Sequence, residues 1–79
     1  MDYLAKINEV VKKLEDNEEE KFAERINSLK ENAFTSTELL MSVTHELLII
    51  CKEKKIKTLI GDDAIDLQNY CRSIGLHVK

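Results

Sequence analysis

Lys55-Ile56-Lys57-Thr58-Leu59-Ile60-Gly61-Asp62-Asp63, residues 55–63, is the stretch on which the fold turns. Its first six residues are rich in β-branched side chains and partly alternate, and Gly61 punctuates them, so they read as a short strand. Asp62 or Asp63 then stands where an N-cap belongs, ahead of a helix carrying Ala64, Leu67, Tyr70, Cys71 and Ile74 on one face. Gly75 follows as a left-handed helix stop, Leu76 packs back on the last turn, and Leu76-His77-Val78 alternates again. Strand, helix and strand at this length describe a right-handed β-α-β unit. If residues 56–60 are instead an irregular connector, the whole chain is an all-α four-helix bundle.

Upstream lies the most apolar segment, Phe34 to Lys54, which reads as the central helix. Thr35 and Glu38 form a capping box, and Phe34 with Leu39 is placed for a hydrophobic staple. At about 100° per residue, Leu39, Leu40, Val43, Leu47, Ile50 and Cys51 share a broad apolar arc that Met41 and Leu48 extend. Glu38, Ser42, His45, Glu46, Lys52 and Glu53 occupy the other side, with Ile49 isolated among them. Such an arc needs more than one covering element.

The amino-terminal third supplies part of that cover. Tyr3, Leu4, Ile7, Val10, Val11 and Leu14 repeat as one helix face, and Phe22, Ile26, Leu29 and Ala33 as another. Between them Asp16 to Lys21 holds no apolar residue; Asn17 is placed to cap the second helix, with Glu18, Glu19 and Glu20 in its first turn. Asn32 suits a left-handed stop. A short link forces the pair antiparallel, giving an αα-hairpin packed on the central helix. The expected fold is therefore mainly α: an amino-terminal αα-hairpin, a central helix, then a short β-α-β unit, in a single domain spanning residues 1–79.

Composition narrows the function classes. At 79 residues, with no Pro, two Gly and 34% charged side chains, the chain suits one small helical domain with a marginal core. Net charge of −3 argues against general nucleic-acid affinity. There is no signal-type leader and no apolar run of the roughly 20 residues that span a bilayer, so a cytoplasmic protein without membrane attachment is expected. Cys51 and Cys71 lack CxxC spacing and fall on apolar faces, where reduced thiols act as small hydrophobes.

From about Glu46 onward the order helix, strand, acidic residue, helix, Gly, strand resembles a fragment of Rossmann-like and PIN-like domains. The first strand and the other acidic positions of a PIN-type nuclease have no counterpart, so the resemblance assigns no catalytic residue. Asp62-Asp63-Ala64-Ile65-Asp66 could nonetheless hold Mg²⁺ and a phosphate, which makes a Mg²⁺-dependent phosphate-handling enzyme or subunit the alternative function. Capping explains the same aspartates more simply. His45, Cys51, Cys71 and His77 match a zinc ligand set in type but not in spacing, and no cofactor is expected. Lys52, Lys54, Lys55 and Lys57 form a basic patch capable of contacting an anion, although lysines near a helix C-terminus also complement its dipole. The leading expectation is a non-catalytic interaction protein, a small regulator or a neutralising partner of the immunity or antitoxin kind. It would bind a protein or itself as a homodimer, using Met41, His45, Leu48 and Ile49 and the open edge of the short sheet.

Overall fold

Residues 54–73 form no strand. In the computed structural model, which describes residues 2–77, Lys54–Ser73 is one continuous helix of 20 residues, and no strand occurs among the described residues. The chain folds as four helices: α1 (Tyr3–Asp16), α2 (Glu20–Asn32), α3 (Ser36–Ile50) and α4 (Lys54–Ser73). Each packs on its neighbour in sequence, and α4 returns to α1, closing an antiparallel bundle of 33 × 23 × 19 Å. The four-helix alternative is the fold, and the β-α-β unit is corrected. With no strand, the sheet edge offered for dimerisation and the Rossmann-like order both fall away; Val78 lies outside the described residues.

Magnitudes explain the correction. Ile56, Ile60, Ala64, Leu67 and Cys71 are all buried and recur at helical spacing across Gly61. A glycine inside a helix costs about 1 kcal/mol relative to alanine. Fully burying an Ile or Leu contributes about 1.5–3 kcal/mol each. Tertiary burial therefore outweighs both the glycine and the local β preference. Within the helix the Thr58 hydroxyl is satisfied by donating to the Lys54 carbonyl at 3.0 Å. Asp62 and Asp63 consequently sit in mid-helix rather than at a cap; the N-cap is Glu53, which makes no side-chain capping bond.

Two helix ends use the same device. At the end of α4, Gly75 takes φ +85°, and the Gly75 and Leu76 amides donate to Arg72 and Cys71 carbonyls at 3.1 and 2.8 Å. Leu76 folds back against the core, as expected from the sequence. At the end of α1, Glu18 takes the left-handed position with φ +61°, and the Glu18 and Glu19 amides donate to Glu15 and Leu14 carbonyls at 3.1 and 2.8 Å. Asn17 thus closes α1 instead of capping α2: its side chain donates to the Lys13 carbonyl at 2.7 Å. Asn32 also keeps helical backbone and donates from its side chain to the Ser28 carbonyl at 2.8 Å, so the left-handed stop expected there is not made.

At the start of α3 the first half of the capping box is made, with Thr35 Oγ1 accepting from the Glu38 amide at 3.0 Å, and the return bond from the Thr35 amide to the Glu38 carboxylate is not. The staple is absent, because Phe34 is 93% exposed. Leu40, Val43, Leu47 and Ile50 from α3 meet Ile7, Val10 and Leu14 from α1, Ile26 from α2 and the α4 stripe in one core. Met41, Leu48 and Cys51 are half-buried against it, so the wide arc of α3 is covered from within the chain except along one side.

Candidate interaction groove

That side faces α4. Leu48 and Cys51 on α3 and Gly61, Ala64 and Ile65 on α4 form the floor of an open groove of about 870 Å³. Ile65 is 51% exposed although it is a large apolar residue in a charged helix. Lys52, Lys54, Lys57, Thr58 and Asp62 make the rim. Partial burial pushes the Cys51 thiol pKa up, against a smaller opposing pull from the Lys57 charge. Cys51 therefore stays protonated near neutral pH and contributes apolar surface rather than a nucleophile.

The basic patch divides. Lys55 points away, its Nζ 2.9 Å from Glu19 Oε1, and that bond raises its pKa above the ordinary lysine value. Lys52, Lys54 and Lys57 border the groove and form no ion pair among the described residues. Their helix context also differs from the sequence reading. Only Lys52 lies just past the end of α3, where it complements the negative pole. Lys54 begins α4, whose first turn has no acidic residue, and Lys57 follows one turn on. At Lys54 a cation opposes the macrodipole by about 0.3–1 kcal/mol, an effect that has largely decayed at Lys57.

Of the four α3 residues expected to meet a partner, only Leu48 lines the groove. Met41 is half-buried on the same stripe, and His45 and Ile49 are exposed beside it, Ile49 at 42%. Sequence reasoning missed Gly61, Ala64 and Ile65, having placed them at or beyond a helix start. The signal was the uninterrupted 56, 60, 64, 67, 71 repeat, which turns Ile65 to the flank.

The three aspartates do not converge. Asp62 borders the groove, while Asp63 points the other way and is buried against α1. Lys13 Nζ lies 2.8 Å from Asp63 Oδ2 and Lys6 Nζ 3.2 Å from Asp63 Oδ1. Asp66, half-exposed, reaches Lys6 at 3.4 Å. Both Asp63 oxygens are thus held by ammonium groups, which compete directly with any cation. Among the described residues no three His, Cys, Asp or Glu side chains gather as a metal site. Cys71 is buried with its Sγ 3.7 Å from Thr44 Oγ1, while His45 is exposed.

The fold and groove define an antiparallel four-helix bundle whose α3–α4 seam is incompletely covered. No protein-family model matches the chain, and neither does any curated protein or solved structure. Among the described residues, no helix is long and apolar enough to cross a membrane.

Proposed function

We propose that the chain is a non-catalytic protein-interaction module that binds through the α3–α4 groove. The observation that carries this reading is the apolar floor of Leu48, Cys51, Ala64 and half-exposed Ile65, left open along the α3–α4 seam. Partial cover of one helix by two neighbours leaves a seam that a further helix can fill, which is the helix-in-groove mode of recognition. The protein acts by occupancy: it holds or masks a segment of its partner, as a small regulator or neutralising protein does. A photo-crosslinking residue at Ile65 is expected to join one protein in cells of the source organism, and the same probe at exposed Lys12 on α1 is not. The purified partner should then bind the chain and lose binding on Leu48→Glu. Equal capture at both positions, or binding indifferent to Leu48→Glu, removes the reading.

A further inference from the structure

We infer that the groove's occupant is an acidic amphipathic helix of a partner protein, an assignment that rests on the interaction reading just given. Charge is the first ground. The groove border carries Lys52, Lys54 and Lys57 against a single carboxylate, Asp62, in a chain whose net charge is −3. Lys6 and Lys13 are matched by Asp63 and Lys55 by Glu19, while Lys12 and Lys21, which also lack an ion pair among the described residues, stand apart from this groove. The groove lysines form no ion pair among the described residues, and Lys54 stands at the helix start, where the dipole of α4 disfavours it. Carboxylates brought by a ligand would relieve that local excess.

Dimensions are the second ground. From Lys54 to Ile65 the α4 wall advances 11 residues, about 16 Å at 1.5 Å per residue. About three turns of helix fit against it, enough for apolar anchors at i, i+3 or i+4, and i+7. The walls are helices joined by the short turn at Cys51 and Lys52, so an extended segment would find no strand edge to pair with. Nucleic acid is disfavoured by the apolar floor and by the absence of an aromatic side chain on which a base could stack. A second copy can offer the exposed carboxylates of Glu15, Asp16, Glu18 and Glu20, but residues 16–21 contain no apolar side chain to enter the groove. That stretch thus supplies charge without an anchor, and exposed Phe34 lies in the α2–α3 link rather than on a helix, whereas a foreign amphipathic helix supplies both on one face.

Three synthetic helices test this: one with Leu at i, i+4 and i+7 flanked by Glu, one with Gln in place of each Glu, and one with Lys. Each is titrated at low salt into the isotope-labelled full chain, with affinity read by fluorescence anisotropy. The Glu peptide is expected to shift the amides of Leu48, Thr58, Gly61 and Ile65 and to bind about tenfold tighter than the Gln peptide, or about 1.4 kcal/mol. That advantage should vanish in the Lys52→Gln, Lys54→Gln, Lys57→Gln triple variant. These side chains are exposed, so the variant keeps its fold, which its circular dichroism checks. Equal affinity for the Glu and Gln peptides overturns the acidic assignment while leaving the groove reading intact. Failure of all three to shift the groove overturns both. Tighter binding of the Lys peptide overturns the acidic assignment, as do groove shifts that appear on concentration alone with dimerisation by light scattering.

Discussion

Lys13 on α1 and Asp63 on α4 lie 50 residues apart in sequence and meet at 2.8 Å, with the carboxylate buried and the ammonium reaching out to water. Lys6, about two turns earlier on the same face of α1, holds the other oxygen at 3.2 Å. Either lysine alone still leaves Asp63 a charged partner. Lys6→Met and Lys13→Met are each expected to cost about 1 kcal/mol. The double replacement strands a buried carboxylate and is expected to cost about 3 kcal/mol or more. Urea denaturation of the three variants measures the coupling, and a double loss no larger than the sum of the singles contradicts this account.

The same cluster gives the chain an alkaline limit. Hydrogen bonds to Asp63 hold the Lys6 and Lys13 pKa values above the ordinary 10.5. Because the folded-state values are raised, their contribution is complete below about pH 10.4 and is lost as pH rises through the folded values. Melting temperature should therefore fall above that pH. In Asp63→Asn the fall should be shallower, since neither lysine then differs much between folded and unfolded chain. Parallel alkaline profiles for the two proteins would exclude Asp63 as the cause.

Glu18 and Gly75 hold equivalent left-handed positions with unequal suitability. Glu18→Gly is expected to raise stability by up to about 1 kcal/mol, because a β-carbon disfavours that conformation. Gly75→Ala is expected to cost a similar amount. An added Cβ at Gly75 meets nothing within 4 Å, so that loss is conformational alone. Calorimetric melting of the two variants should move in opposite directions.

Gly61 separates stability from binding. An alanine there gains about 1 kcal/mol of helix preference. Its Cβ would lie 3.2 Å from Lys57 Cγ, part of a flexible side chain able to shift. Gly61→Ala should thus stabilise α4 while narrowing the groove and weakening the Glu peptide. Higher melting temperature with unchanged peptide affinity would show that the floor at Gly61 is not contacted.

Thr35 and Phe34 are adjacent and should behave as opposites. Thr35→Ala removes the cap on α3 and is expected to cost about 1 kcal/mol. Phe34→Ser should change stability by less than about 0.5 kcal/mol, as an exposed site does. A destabilisation by Phe34→Ser comparable to the lost cap would reinstate the hydrophobic staple.

What the sequence disclosed follows from the range of the forces involved. The faces of α1 and α3, the Thr35 cap and the Gly75 stop are local patterns, and each is found where its spacing puts it. Residues 55–63 misled because β-branched residues, then glycine, then two aspartates together masked the helical spacing of Ile56, Ile60 and Ala64. Only the rest of the bundle shows why Asp63 can lie inward, since its partners are on α1. Leu48 and the lysines of the groove were visible as candidates. Their assembly with Gly61 and Ile65 was not, because it depends on α4 beginning at Lys54.

Three of the bundle's four seams join helices that are consecutive in the chain, and only the α1–α4 seam joins its distant ends. Loop-closure entropy is therefore low for three seams and highest for the fourth, which sets an order of assembly. The hairpins can form first, with α4 docking on α1 as the closing event and the Asp63 cluster forming after the main barrier. Replacing Asp63 should then accelerate unfolding while leaving the refolding rate nearly unchanged, a partition that stopped-flow chevrons resolve. The buried carboxylate works as a latch on the closed ring.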